Sequence, residues 1–438
     1  MALLLLCSVA AAQQSEISAS QPLIDKAKAF VSLLAQGNFA AATADFDSTM
    51  KAVMPAEKLN ETWKTVTAQV GQFREQAGVR TEKMAQYDIV YVGSIFEQAN
   101  LDIKVVFDSA SKIAGLFIVP SKPPVEFSSA SYVNPKAFRK SDITVGSSEW
   151  ALPGTLTMPW GVELAPVVVL VHGSGPNDRD ESLGPNKPFR DLAEGLSSKG
   201  IAVLRYDKRT YKYGQKMASM VNGLTVKEET IDDALAAVEQ LRQTPGIDSN
   251  RIYVLGHSLG AMLVPRIAKG DSMIAGFIAM AGITRPLEDV LIDQFSYIYS
   301  LGSITPEQKA HLDTLRVQAA KVKSAGLTVK TPTSQLPLDV PAKYWIDLKG
   351  YKPAEMAKEI ARPMLIMQGG RDYQVTEVDF NGWKNALSGR NDVEFKFYPA
   401  ANHLFIDGQG KITPDDYEVA GHVSEAVIND IADWVNKH

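Results

Sequence analysis

Two kinds of hydrophobic patterning divide the chain. From residue 21 to about 120, amphipathic stretches are followed by alternating ones. Residues 21–50 place Phe30, Leu33, Leu34 and Phe39 within reach of one helical face, interrupted at Gly37-Asn38, and a second helical stretch runs over 55–72. Period-two runs over 87–92, 99–107 and 112–119 read as a meander of antiparallel strands. Helices followed by strands predict a small α+β domain over 21–120. Ser121-Lys122-Pro123-Pro124 reads as a linker.

From residue 125 onward the pattern changes. Residues 138–145 and 150–158 form a predicted hairpin with Pro153-Gly154 near its turn. Val167 to Val171 is a continuous apolar run, as expected of a strand covered on both faces. Helical and apolar runs then alternate: helices at 189–199, 227–244 and 259–269, strands at 201–206, 251–255 and 275–281. This alternation predicts a doubly wound, mostly parallel α/β sheet. It stops near Thr284. Residues 285–358 carry helical patterning, clearest over 287–299 and 306–324, and strands resume at 363–367 and 393–398 before a last helix over 419–437. A helical insertion into the 125–438 domain is expected, and it is placed as a cap over the site.

Composition narrows the picture. A net charge of −5 provides no basic footprint, so nucleic acid is not an expected partner. The opening MALLLLCSVAAA resembles the apolar core and small-residue cleavage site of an export leader, although it lacks the usual positive start. Cleavage after Ala12 and an exported mature chain are expected, with residues 1–20 as leader. The run is shorter than the ~20 residues of a membrane span. Cys7 is the only cysteine and lies in the leader, which leaves the mature chain with no disulfide and no thiolate nucleophile. No histidines are paired at metal-ligand spacing and no Gly-rich phosphate loop is present, so neither metal nor cofactor is expected.

The chemistry concentrates at Gly256-His257-Ser258-Leu259-Gly260. A strand precedes it and a helix follows, the context in which G-x-S-x-G forms a strained elbow that lifts the serine hydroxyl above the sheet edge. A serine nucleophile needs a base, and the base an orienting acid. On such a sheet these follow in the order acid, then histidine. After Ser258 the histidines are His311, His403, His422 and His438. His311 falls in the insertion, His422 inside the predicted last helix, and His438 is the terminal residue. His403 falls in the loop after the last strand, where the base belongs. Asp372, in Gly369-Gly370-Arg371-Asp372, directly follows a buried strand, with Asp379 as its nearest substitute. Val171-His172-Gly173-Ser174-Gly175-Pro176 follows the first core strand, and the Ser174 and Leu259 amides are the expected oxyanion donors. Gly173, Gly175 and His257 are expected to line the substrate site. The charged clusters at 177–180 and 205–209 read as ion pairs that tie loops together.

Together HGSGP with DRD, RYDKRT, GHSLG, GGRD and NHLF resemble the bacterial α/β-hydrolase esterases related to dienelactone hydrolases, over about 140–438. The 20–120 segment is similar by architecture to the accessory α+β domain that some of them carry. The resemblance implies a serine carboxylesterase with Ser258, Asp372 and His403 as its triad. Dienelactone hydrolases proper use cysteine where this chain has Ser258. Thr210 departs from the glycine that relatives tend to have. A small ester is the expected substrate, with a homo-oligomer through the first domain as the candidate assembly. A serine peptidase or amidase, and a catalytically silent binding protein, are the competing readings.

Overall fold

The computed structural model describes residues 21–84, 87–121, 127–146, 148–220 and 223–438. The leader, Cys7 and most of the linker lie outside the described residues. The chain divides into two compact units, with the boundary along the sequence between Glu126 and Phe127.

In the first unit, helices Gln21–Ala35, Phe39–Ala42, Ser48–Val53 and Ala56–Val70 precede strands β1 (Phe73–Met84), β2 (Tyr87–Phe96), β3 (Asn100–Phe107) and β4 (Ile113–Pro120). The strands form an antiparallel sheet in chain order. Ala27, Phe30, Val31 and Leu34 recur at helical spacing and are buried with Val90, Val92, Ile103 and Val105. The sequence pattern missed β1. It is a polar edge strand, FREQAGVRTEKM, and its register to β2 breaks at Phe73/Glu75 and Gln76/Val79. Gly93 faces the second break, where an added Cβ would stand 2.0 Å from the Ala77 carbonyl.

The second unit is an eight-stranded sheet in the order β12-β11-β10-β9-β7-β8-β6-β5. Its strands are β5 (Phe138–Val145), β6 (Leu152–Pro159), β7 (Ala165–Val171), β8 (Ala202–Tyr206), β9 (Ile247–His257), β10 (Gly276–Met280), β11 (Met364–Gly369) and β12 (Val393–Tyr398). β7 to β12 run parallel, and β5 and β6 are antiparallel additions. β7, β8, β10 and β11 are buried at every position, because helices cover both faces.

Three expectations need correction. Pro153-Gly154 lies inside β6, paired with Thr144 and Ile143 of β5, rather than at a turn. Gly154 packs so closely against β8 that a Cβ would stand 2.9 Å from the Arg205 carbonyl. The predicted helix over 227–244 begins as a π-helical turn, Lys227–Ile231, and continues as Asp232–Arg242. The last helix is Glu425–Lys437, so His422 precedes it. His422 instead pairs with buried Asp191 at 3.0 Å, a structural tie between the two segments.

Between β10 and β11 the chain forms helices Leu287–Tyr299, Pro306–Lys323 and Ala342–Leu348 with short turns. Thr305 and Gln308 close the capping box of the middle helix. No helix among the described residues is long and apolar enough to cross a membrane.

Candidate active site

The parallel strands end along one sheet edge, and their following loops carry the candidate residues. Ser258 terminates β9 with φ of 54° and ψ of −113°, a left-handed backbone that a non-glycine residue adopts only when its surroundings hold it there. Its N–H donates to the Met280 carbonyl at 2.9 Å, which fixes the turn to β10. The two glycines of the motif are steric requirements. A Cβ on Gly256 would stand 2.4 Å from the Gly260 backbone, and one on Gly260 would stand 2.3 Å from the Val171 carbonyl. The helix that begins at Leu259 thus starts against the end of β7, with its unpaired first amide and positive dipole end at the serine.

Asp372 follows β11. Its Oδ1 accepts the Gln374 and Val375 amides at 2.8 and 3.0 Å, while its Oδ2 receives His403 Nδ1 at 2.6 Å. The Asp372 side chain is fully buried and His403 nearly so. Gly369 and Gly370 are needed because the histidine loop crosses them: a Cβ on either would approach Ala401, Asn402 or Pro399 backbone to within 2.8 Å. Asn402 shapes that loop by accepting the Leu404 and Ile406 amides at 2.9 and 3.1 Å. Asp379, the substitute acid, is far from idle: its buried carboxylate binds the Thr284 and Arg285 amides and the Arg285 guanidinium, pinning the start of the insertion.

The loop after β7 lies beside the serine, since a Cβ on Gly173 would stand 3.1 Å from Ser258 Cβ. The Gly173 amide donates to Glu181 Oε1 at 2.7 Å, and its carbonyl accepts from Lys208 Nζ at 2.7 Å. His257 Nδ1 lies 2.8 Å from Glu181 Oε2, and its Nε2 lies 2.9 Å from the His403 carbonyl. The carboxylate beside Nδ1 and the carbonyl beside Nε2 both favour the protonated ring. Burial pulls its pKa down, but the Glu181 charge and the hydrogen bonds prevail and raise it. Glu181 is correspondingly held below the usual carboxylate range: burial opposes this, and the His257 charge outweighs it. His172 behaves oppositely: burial lowers it to about 4, so it is neutral and donates to the Asp178 carbonyl at 3.0 Å.

Gly173 and His257, expected to line the substrate site, lie beside Ser258 and His403. The Gly173 amide and carbonyl and the His257 Nε2 also contact other parts of the protein. Gly175 remains exposed, with φ of 88°, and its carbonyl accepts from the Thr210 hydroxyl at 3.1 Å. The departure at Thr210 therefore braces this loop. The charged clusters form ion pairs: Arg179 with Asp207, Arg205 with Asp180, Lys208 with Glu229 and Arg209 with Asp233. Glu181, Glu229 and Asn402 escaped sequence reasoning. Only Asn402, beside His403 in a loop, carried a usable signal, the tendency of Asn to hydrogen-bond backbone two residues on.

Of the aromatic residues in the insertion, Phe295 and Tyr299 pack with one another and with His311, and Trp345 is buried in the main core. Tyr297 is different: it stacks on Tyr373, the neighbour of Asp372, with ring centroids 4.8 Å apart.

Comparison with known proteins agrees with this architecture. Residues 168–411, more than half of the chain, match the alpha/beta hydrolase family. Esterase EstD of Thermotoga maritima is 43% identical over 408 residues, which cover 93% of this chain and 94% of that protein. The chain belongs to the α/β hydrolase family. A second relative of this α/β hydrolase, the quorum-quenching protein AidA of Acinetobacter baumannii, is 23% identical over 51% of this chain and 76% of its own. A dienelactone hydrolase from Anabaena variabilis superposes on 69% of this α/β hydrolase and 99% of itself, at 17% identity and a TM-score of 0.40. Residues 27–116 match DUF3887, a family of proteins of unknown function.

Proposed function

We propose that this α/β hydrolase is a serine carboxylesterase that cleaves small, short-acyl esters through Ser258, His403 and Asp372. Ester hydrolysis is supported by family membership and by the similarity to an esterase over nearly the full length of both chains. The observation that carries the triad is the 2.6 Å contact between Asp372 and His403, made by loops on the sheet edge where Ser258 sits in a left-handed backbone.

In this reading His403 Nε2 takes the Ser258 proton while Oγ attacks the ester carbonyl. The Leu259 and Ser174 amides receive the oxyanion, and His403 returns the proton to the departing alcohol. Water, activated by the same histidine, then releases the acid from the acyl-enzyme. Asp372, anchored by two amides, holds the imidazole tautomer that makes Nε2 the base.

Beside the triad lies the apolar cluster of Tyr373, Leu404, Ile412 and Tyr417, with Tyr297 and Leu183 against it. Tyr373 and Leu404 are the direct neighbours of Asp372 and His403. The insertion, through Tyr297, thus acts as a cap on this side of the site. Export of the mature chain and self-association through residues 21–120 belong to the same proposal. The test is a panel of p-nitrophenyl esters of rising acyl length, set beside aminoacyl amides. The reading expects the highest kcat/KM on the shortest esters. A preference for amides would favour a peptidase, and a preference for long acyl chains would overturn the small-substrate reading.

A further inference from the structure

Lys208 is a lysine buried at the end of β8 with two partners. Its Nζ donates to the Gly173 carbonyl at 2.7 Å and to Glu229 Oε1 at 2.6 Å. The other oxygen of Glu229 accepts from the Tyr344 hydroxyl at 2.8 Å. Tyr344 lies on helix Ala342–Leu348 of the insertion, and Glu229 in the π-helical turn Lys227–Ile231. All three side chains are buried. Burial first, and then the Glu229 charge, raises the Tyr344 phenol well above its ordinary pKa, so it remains a donor. A chain of hydrogen bonds therefore runs from the insertion to the loop beside Ser258.

Its end point matters because of peptide geometry. The Gly173 carbonyl and the Ser174 N–H belong to one planar trans peptide and point in opposite directions. Holding the carbonyl on Lys208 aims the N–H away from Lys208. The Gly173 N–H is unavailable to a substrate, because Glu181 holds it. Ser174 is exposed, and its amide has no partner among the described residues. A cation on the carbonyl also withdraws electron density from the peptide and strengthens its N–H as a donor.

We propose that Lys208 is a positioning residue for the oxyanion hole, and that Glu229 and Tyr344 hold it in place, so that the helical insertion sets the strength of the Ser174 donor. The proposal rests on the esterase reading, in which the Ser174 amide receives the oxyanion. Without Lys208 the 173–174 peptide is held less firmly and its N–H is less polarised. Asn177 Nδ2, which also reaches the Gly173 carbonyl at 3.2 Å, provides a neutral and longer substitute.

The test compares a short p-nitrophenyl ester with its thiono analogue, whose developing negative charge sits on sulfur and takes hydrogen bonds poorly. Lys208→Met combined with Glu229→Gln removes both charges and leaves neither unpaired in the interior. Losing an oxyanion donor outright costs about 10²–10³ in kcat, so a misaimed one is expected to lower kcat on the oxygen ester by roughly 30-fold, with KM within about twofold. The thiono ester is expected to lose less than about threefold, because it draws little on that donor. Tyr344→Phe, which deletes one hydroxyl, is expected to act in the same direction by about three- to tenfold. Equal losses on both esters, or no loss on either, would overturn the proposal. If the double variant does not fold, Tyr344→Phe decides alone: an unchanged ratio of the two rates overturns it. Labelling of Ser258 by a fluorophosphonate separates the two levels. An unlabelled wild type refutes the esterase reading, whereas a labelled wild type with unchanged rate ratios in the variants refutes only the role of Lys208.

Discussion

Replacing Glu181 by Gln probes the framework under the site. Glu181 adopts a left-handed backbone, φ 51°, and its buried side chain spans two loops, accepting the Gly173 amide and lying 2.8 Å from His257 Nδ1. Gln keeps an acceptor for Gly173 and removes only the charge. Breaking a buried ion pair costs about 3–5 kcal/mol when the remaining charge stays unpaired. His257 can shed its proton, so the expected loss at pH 6 is about 2–4 kcal/mol. The pH dependence follows from the directions of the two shifts. His257 is raised in the folded state, so its contribution is full below its unfolded pKa of 6.5 and fades as pH rises through the folded value. Glu181 is lowered, so its contribution is present above its unfolded pKa of 4.5 and fades as pH falls through the folded value. The difference in stability between wild type and variant therefore peaks between pH 4.5 and 6.5 and narrows on both sides. Urea unfolding of the full chain, followed by tryptophan fluorescence at pH 4, 6 and 9, measures it. A difference that is the same at all three pH values would refute the ion pair.

Two further outcomes follow from contacts in the site. In Asp372→Asn, the Gln374 and Val375 amides demand the carbonyl oxygen, which turns the Asn NH2 toward His403 Nδ1. That forces the proton onto Nε2 and removes the base, so kcat is expected to fall roughly 10⁴-fold with little change in melting temperature. Gly260→Ala places a methyl 2.3 Å from the Val171 carbonyl, and a loss of about 3 kcal/mol or more in thermal unfolding is expected, together with lost activity.

The sheet was readable because its central strands are apolar on both faces, so Val167 to Val171 and Met364 to Met367 stand out from any surroundings. Once those strands are placed, the loops carrying Ser258, Asp372 and His403 follow. The edge strand β1 was hidden for the opposite reason: it buries little, so its pattern is polar. The helices Leu287–Tyr299 and Pro306–Lys323 carry their own length and caps, whereas Ala342–Leu348 is two turns held by Trp345 and Tyr344 against distant partners. The framework acids were illegible on principle. Glu229 has meaning only through Lys208, 21 residues away, and Tyr344, 115 residues away. Nothing local marks it among other surface-like glutamates.

The proposed chemistry stands on Ser258 as the nucleophile. Intact-mass spectrometry of the full chain after exposure to a fluorophosphonate, with peptide mapping, tests it most directly. One adduct is expected, on Ser258, and for Ser258→Ala neither adduct nor esterase turnover above background, with melting unchanged. An adduct on another serine, or wild-type rates in Ser258→Ala, would contradict it.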